Sequence, residues 1–186
     1  LNLLFDFDWV NNNLFYGEYK RISSYYPNSE LAASDTPSEA ELALLEPYRE
    51  QIPDKVFGPA YQPPSASNRQ EMRDNMRKAS ALLKEAGWSV ENGVQVKDGK
   101  AFTFEILLSA PEDEKLALHF KRSLDKMGIL TNIRVLDSAA YRGRLNVYDF
   151  DMTLYYWLSS LSPGTEQVLY YSCKAADEPA RWNFPG

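Results

Sequence analysis

Histidine and cysteine, which commonly supply nucleophiles, general bases and metal ligands, are almost absent from this chain. Its 186 residues include one histidine, His119, and one cysteine, Cys173. A single cysteine excludes an internal disulfide and a zinc site built from thiolates. Any Ser-His-Asp or Cys-His arrangement would depend on His119 alone, which disfavours nucleophilic hydrolysis. No second histidine or Glu-x-x-His pattern lies near His119, which favours a structural or surface role for this residue.

The chain also lacks the sequence features of proteins that bind nucleic acids, membranes or phosphate groups. The net charge is -6 with a pI near 4.9, and no stripe of lysine and arginine is present, so a nucleic acid partner is not expected. No apolar run approaches the roughly 18 residues of a membrane-spanning helix, so membrane insertion is not expected either. The glycines form no G-x-G-x-x-G or G-K-S/T loop for phosphate. The sequence predicts neither a cofactor nor a metal site.

The first part of the chain is predicted to be helical and irregular. A helical apolar stripe over Leu1 to about Lys20 predicts a helix that kinks near Asn11-Asn12-Asn13. Thr36-Pro37-Ser38-Glu39 has the form of a capping box and predicts a short helix from Pro37 to about Leu45. Residues 46–67 contain five prolines, which predicts an irregular segment at the surface.

From Asn68 onward the pattern predicts regular α and β elements. The first elements are a helix from Asn68 to Gly87 and a hairpin of Val94–Val96 and Phe102–Leu108 around the turn Asp98-Gly99. A helix over Glu112–Met127 and a strand over Ile129–Leu136 follow. The last elements are a helix over Ala139–Leu145 capped by Asp137, a strand over Phe150–Trp157 and a helix over Glu166–Tyr171. The order from Phe102 is β-α-β-α-β, which predicts an α/β fold with a parallel core. Ligands of such sheets lie beyond the carboxyl ends of the strands, here in the loops after Leu108, Leu136 and Trp157.

The two ends of the chain suggest a piece of a larger protein. Leu1 begins an apolar run without a capping residue, and Trp182 and Phe184 have no following element to cover them. We therefore expect residues 1–186 to form one lobe excised from a larger protein.

An enzymatic alternative comes from pairs of aspartates. Asp6 and Asp8 follow an apolar run and resemble the nucleophile motif of haloacid-dehalogenase-type phosphatases, with Ser109 as a possible second motif. That chemistry needs several carboxylates around Mg²⁺, and no strand ending in a pair of aspartates follows Ser109. Asp149 and Asp151 precede their strand rather than follow it. A magnesium phosphatase using Asp6 and Asp8 is therefore kept only as the alternative hypothesis.

Aromatic residues at the end of the last predicted strand favour ligand binding. Tyr155 and Trp157 lead into a loop of small residues that reaches Gly164 and the predicted helix at Glu166. Aromatic faces beside backbone amides and hydroxyls suit an extended ligand such as a peptide. Core packing is an equally good interpretation of the tyrosines, and Trp157 is the stronger candidate.

Several motifs resemble those of the family 5 extracellular solute-binding proteins of ABC importers, which bind peptides or nickel. Asn75–Gly87 (N-M-R-K-A-S-A-L-L-K-E-A-G) is similar to the family's A-K-x-L-L-x-E-A-G helix, and weaker similarities cover Leu1–Tyr19 and Tyr148–Trp157. One branch of this family is associated with uptake of microcin C and of longer or modified peptides. Three segments of the chain look most like that branch: Ser24–Ala33, Phe57–Pro64 and Trp157–Gln167.

The resemblance implies a periplasmic lobe that closes with another lobe of the same protein around a peptide or modified peptide and delivers it to ABC permease subunits. Typical peptide binders carry W-x-x-D-Y, whose aspartate pairs with the free amino terminus of the ligand, whereas Ser160 and Leu161 stand at those positions here. A blocked or formylated amino terminus, or a register that uses Glu166, is therefore expected. The candidate ligand-binding residues are Tyr26, Asn28, Tyr155, Trp157, Ser159, Ser160, Ser162, Gly164 and Glu166.

Overall fold

The computed structural model of the protein describes residues 1–33, 35–158 and 161–184. Its helices are α1 (Phe7–Leu14), α2 (Glu39–Leu45), α3 (Arg69–Glu85), α4 (Glu114–Lys126), α5 (Ser138–Asn146), α6 (Glu166–Tyr171) and α7 (Cys173–Ala176). Its strands are β1 (Ser89–Glu91), β2 (Val94–Lys97), β3 (Lys100–Ala101), β4 (Thr103–Leu108), β5 (Leu130–Val135) and β6 (Met152–Thr153). The chain divides into a larger unit, comprising Leu1–Tyr19, Pro64–Leu158 and Gly164–Gly186, and a smaller unit, comprising Lys20–Pro63 and Ser159–Pro163.

A parallel sheet with β4 at its centre organises the larger unit. The strand order is β5-β4-β6, and β4 pairs with β5 along its whole length, from Thr103 opposite Leu130 to Leu108 opposite Val135. The connections between these strands contain α4 and α5. The predicted α/β fold with a β-α-β-α-β parallel core is therefore confirmed.

The core lies where β4 meets α4 and the N-terminal segment. Residues 106–108 of β4 are at most 2% exposed, and Leu124 of α4 is fully buried. The rings of Phe5 and Phe120 meet edge to face with centroids 5.5 Å apart, and Leu4 belongs to the same cluster. One face of α4 thus covers the sheet, as its helical periodicity predicted.

The structure confirms the predicted turn of the antiparallel hairpin but not its predicted second strand. Asp98 and Gly99 both have positive φ, 53° and 73°, and join β2 to β3. The prediction that Phe102 to Leu108 forms the second arm is wrong, because that arm consists of β3 alone. Phe102 is the residue at which the chain changes sheets: its N–H donates to the carbonyl of Gln95 at 2.7 Å, and its own carbonyl accepts from the N–H of Leu130 at 2.9 Å.

Two helices begin later in the chain than predicted, after the residues whose side chains cap them. The side chain of Asp6 accepts a hydrogen bond from the N–H of Trp9 at 3.0 Å and caps α1. Asn11–Asn13 therefore lie inside α1, and the predicted kink there is wrong. In the smaller unit the capping box consists of Ser38 and Glu41, two residues later than predicted.

The helices that follow begin and end where the sequence predicted. The side chain of Asn68 caps α3, and Gly87 follows that helix with a φ of 88°. At Gly128, after α4, a Cβ atom would collide with the backbone of Gly93 and Gln95, so only glycine lets the hairpin lie against this helix end. No helix among the described residues has the length and apolar character needed to cross a membrane.

The last predicted strand is much shorter than its apolar pattern indicated. The prediction of a strand over Phe150–Trp157 is wrong, because β6 contains only Met152 and Thr153. The hydroxyl of Thr153 donates to the carbonyl of Leu107 at 2.8 Å, and the carbonyl of Leu154 accepts from the hydroxyl of Tyr141 at 2.9 Å. Side chains thus bond backbone groups at the point where the strand ladder stops.

Residues 46–67 contain 3₁₀ turns at Glu46–Tyr48 and Asp54–Phe57 and otherwise follow an irregular course. The guanidinium of Arg49 lies 3.9 Å from the ring centroid of Phe57 and also pairs with Glu46 at 2.7 Å. The expectation of an irregular proline-rich segment is therefore confirmed.

A stack of two rings joins α1 to α4. The indole of Trp9 and the imidazole of His119 are nearly parallel, at 6°, with centroids 3.9 Å apart. Burial lowers the pKa of His119, the nearby cations of Arg122 and Lys126 lower it further, and the carboxylate of Asp6 partly opposes them. The folded chain therefore favours the neutral imidazole.

Acidification should weaken the larger unit through His119. Its pKa is lower in the folded chain than in the unfolded chain, where it is about 6.5, so the unfolded chain binds the proton first as the pH falls. The stability that neutral His119 contributes is complete above about pH 6.5 and is lost as the pH falls toward the folded pKa. Urea unfolding between pH 7.5 and pH 5 should show a larger loss of unfolding free energy in the natural chain than in His119→Gln. Equal losses would contradict this assignment.

Two leucines of α4 test which face of the helix carries the core. Leu124 is fully buried, whereas Leu118 of the same helix is 42% exposed. Leu124→Ala should lower the free energy of unfolding by about 3 kcal/mol, because it leaves a cavity beside the sheet. Leu118→Ala, the matched control, should lower it by about 0.5 kcal/mol or less. Urea unfolding measures both, and similar losses would show that α4 is turned differently.

Candidate functional site

Aromatic side chains that precede and follow β6 form one cluster with residues from the C-terminal part of the larger unit. We define the Phe184 cluster by its members, Tyr148, Phe150, Tyr155, Trp157, Tyr170 and Phe184. The ring of Phe184 lies 5.0 Å from Tyr155, 5.3 Å from Phe150 and 5.7 Å from Trp157, measured between centroids. The ring of Trp157 also meets Tyr170 at 4.6 Å. Most of these pairs are edge to face, the geometry that aromatic rings prefer.

The end of β6 positions two rings of the cluster, those of Tyr155 and Trp157. Tyr141 of α5 lies against this end, and its hydroxyl is 2.9 Å from the hydroxyl of Thr153 and 2.9 Å from the carbonyl of Leu154. Tyr155 follows directly and meets Trp157 at 5.1 Å. The position of these two rings therefore depends on the sheet and on α5.

Hydrogen bonds to backbone carbonyls hold the C-terminal segment against the cluster. The hydroxyl of Tyr148 donates to the carbonyl of Glu178 at 3.0 Å, and the N–H of Ala180 donates to the carbonyl of Asn146 at 2.8 Å. Asn183 is 4% exposed and its amide donates to the carbonyl of Ser172 at 2.8 Å. Phe184 is therefore packed against residues that precede it in the chain.

The cluster borders an open, shallow cavity of about 330 Å³. Trp157 is 37% exposed beside it, so part of the indole remains available to a ligand. Burial raises the pKa of Tyr155, and Tyr170 raises it further, so this phenol stays protonated and can donate a hydrogen bond. The cavity is lined by Phe150, Asp151, Met152, Thr153, Tyr155, Trp157 and Phe184.

The loop after β4 and the segment after β6 influence each other electrostatically. Burial raises the pKa of Tyr156, and the nearby groups of Asp113, Tyr19 and Glu112 raise it further. Burial also raises the pKa of Asp113, with a smaller contribution from Glu112. Residues that follow two parallel strands thus come near each other, in agreement with a site at the carboxyl edge of the sheet.

The predicted site residues fall in different parts of the structure. Tyr155 and Trp157 contact each other in the larger unit. Also in that unit, the N–H of Gly164 donates to a carboxylate oxygen of Glu166 at 3.0 Å, and a Cβ atom at Gly164 would collide with that carboxylate. In the smaller unit Tyr26 is half-buried, while Asn28 and Ser162 are exposed. Ser159 and Ser160 lie outside the described residues.

Sequence reasoning missed several members of the site. Phe184, Tyr148 and Tyr170 are not among the candidate ligand-binding residues that the sequence indicates. Their contacts join positions far apart in the chain, which no periodicity of neighbouring residues reports. The only available signal was the high aromatic content of residues 148–157 and 170–184.

The carboxylates of the alternative hypothesis have structural partners. Asp6 accepts from the N–H of Trp9, and Asp8 accepts from the N–H of Ala66 at 2.8 Å. Both lie at the start of α1 rather than after a parallel strand. Among the described residues no group of three or more histidines, cysteines or carboxylates could hold a metal ion. Nothing in this arrangement supports the magnesium phosphatase.

Solved structures of binding proteins share this fold. The oligopeptide-binding protein AppA from Bacillus subtilis, in complex with a nonapeptide, matches with a TM-score of 0.61 and 22% sequence identity, over 96% of this chain and 30% of AppA. At that identity the likeness shows the fold alone.

Sequence relatives match this chain over its whole length. It is 36% identical over 188 residues to the protein of Agrobacterium fabrum named "Probable peptide-binding protein YejA", and 35% identical over 188 residues to "Peptidoglycan-binding protein YepA" of the same organism. Each match covers 100% of this chain but 31% of the relative, so the chain spans about a third of the relatives' length. Residues 1–178 match the family described as "Bacterial extracellular solute-binding proteins, family 5 Middle". The chain therefore belongs to the family 5 bacterial extracellular solute-binding proteins.

Proposed function

We propose that this chain is a ligand-binding lobe of the substrate-binding component of an ABC importer. In the whole protein it would act in the periplasm, close with another lobe around a peptide or modified peptide, and deliver that ligand to permease subunits. The observation that carries the proposal is the Phe184 cluster with its cavity, which lies alongside β6 at one edge of a parallel sheet.

The chemistry of this surface suits a peptide. The partly exposed indole of Trp157 offers a flat face for stacking, and the protonated phenol of Tyr155 offers a hydrogen-bond donor. Such contacts tolerate many side chains, because they recognise rings and backbone groups rather than one charged terminus. The relatives named for binding peptide and peptidoglycan support this class, since peptidoglycan also contains peptide. The resemblance of Ser24–Ala33 and Phe57–Pro64 to the microcin C uptake branch favours modified peptides within it.

The proposed ligand contacts of the larger unit are Tyr155, Trp157, Gly164 and Glu166. The contact between Gly164 and Glu166 keeps this carboxylate beside the backbone that precedes α6. Tyr26, Asn28, Ser159, Ser160 and Ser162 remain candidates on the sequence alone.

The ligand's amino terminus is expected to be recognised without the usual aspartate. Ser160 and Leu161 stand where the peptide binders that this chain resembles carry Asp and Tyr. An ammonium group buried without a carboxylate would lose hydration with little compensation. A blocked or formylated terminus avoids this cost, and Glu166 is the alternative partner for a free one.

Trp157 should be required for binding of peptide by the full natural protein. Trp157→Ala removes the exposed stacking face and should weaken the affinity for a peptide that co-purifies with the protein by about tenfold or more. Trp9 is the matched control, because it is 41% exposed compared with 37% for Trp157 and lies outside the Phe184 cluster. Calorimetric titration should show an unchanged affinity for Trp9→Ala. Equal effects of the two substitutions, or none of Trp157→Ala, would remove the Phe184 cluster from the binding site.

Paired peptides with free and formylated amino termini test the terminus chemistry. The formylated peptide should bind the full natural protein at least as tightly as its free counterpart, because no aspartate is present at position 160. If free termini bind through Glu166, then Glu166→Gln should weaken the free peptide alone. A strong preference for the free peptide that Glu166→Gln leaves unchanged would contradict both forms of this proposal.

A further inference from the structure

A second cavity, of about 290 Å³, lies where α1, α3 and α4 meet and is separate from the Phe184 cluster. Its walls include Trp9, Met72, Met76 and His119. This small space therefore collects the only histidine and two of the four methionines of the chain.

His119 has an unused hydrogen-bonding capacity. Neither ring nitrogen is hydrogen-bonded to any of the residues that the structure describes, although the side chain is half-buried. Its contact with Trp9 is a parallel stack with centroids 3.9 Å apart, which involves the face of the imidazole and not the nitrogen lone pairs in its plane. A neutral imidazole keeps one nitrogen lone pair for a ligand bond.

The two methionines bring thioether sulfur to the same cavity. Met72 and Met76 are four residues apart on α3, which places both side chains on one face of the helix. Both are half-buried, and Met76 also packs against the hydrophobic core. Thioether sulfur is a soft ligand that prefers Cu(I) to hard divalent ions.

The charges around the cavity restrict which ion could enter it. Asp6 is the carboxylate among the lining residues, and Arg122 and Lys126 are lining cations. A hard divalent cation needs several oxygen ligands and would meet net positive charge here. A monovalent ion experiences half of that repulsion and bonds to sulfur and imidazole nitrogen.

We propose that this cavity binds a soft monovalent cation, Cu(I) or Ag(I), through the thioethers of Met72 and Met76 and the imidazole of His119. Trp9 acts as a positioning residue, because its stack on His119 fixes the plane of the imidazole. The site is independent of the peptide site, since it shares no residue with the Phe184 cluster.

Silver(I) is the probe of choice, because it needs no reducing agent. Cys173 is an exposed free thiol that would itself bind silver, so all measurements use the full natural protein with Cys173→Ser. Calorimetric titration with silver nitrate in chloride-free buffer should detect binding that Met72→Leu, Met76→Leu and His119→Gln each weaken by about tenfold or more. Leucine conserves the volume of methionine, so these variants should remain folded.

Met127→Leu is the matched control, because Met127 is a partly buried methionine that lies outside this cavity. It should leave silver binding unchanged, and none of the cavity variants should alter peptide affinity. Absence of silver binding at micromolar protein concentration would overturn the proposal. Binding that Met127→Leu weakens as much as Met72→Leu does would overturn it equally, as would binding that His119→Gln leaves intact.

Discussion

The pairing of β4 on both of its edges is the constraint on which the larger unit depends. β5 occupies one edge over six residue pairs, and β6 occupies part of the other. The carboxylate of Glu105 on β4 accepts from Arg134 of β5 and from Arg144 of α5, each at 2.6 Å, and the bond from Arg134 is the main cause of its lowered pKa. The side chain of Glu105 is 18% exposed, and its two ion pairs connect β4 to β5 and to α5.

The candidate site lies beside the short strand β6. Had the chain continued as a strand to Trp157, successive side chains would have alternated between the two faces of the sheet. Instead the hydroxyls of Thr153 and Tyr141 bond backbone carbonyls at the end of the pairing. The residues after Leu154 leave the sheet, and Tyr155 and Trp157 pack together around Phe184. A surface for a ligand is thus formed by aromatic residues that lie beyond the end of the strand.

The sequence could predict those features that depend on neighbouring residues. The capping side chain of Asn68, the glycine at 128 and the apolar stripes of α3 and α4 identify these helices because each signal lies within a turn or two of the element. Strand partners are different, because an apolar run does not state which strand it joins. Phe102 shows this: its position between two sheets follows from bonds to Gln95 and Leu130 rather than from its own neighbourhood. The Phe184 cluster could not be predicted for the same reason.

The sequence alone does not show whether a carboxylate serves the fold or a ligand. The carboxylates of this chain that bond its own backbone also indicate which kind of ligand the site can bind. Asp6 and Asp8 suggested phosphoryl chemistry, yet each binds a backbone N–H group, as Asp137 does at the start of α5. Glu166 likewise accepts from the N–H of Gly164. An acidic chain thus uses these negative charges to order its own backbone, and the exposed part of the Phe184 cluster presents an indole and a neutral phenol. A ligand that is held by ring faces and backbone hydrogen bonds fits such a surface better than one that requires a dedicated carboxylate for its amino group.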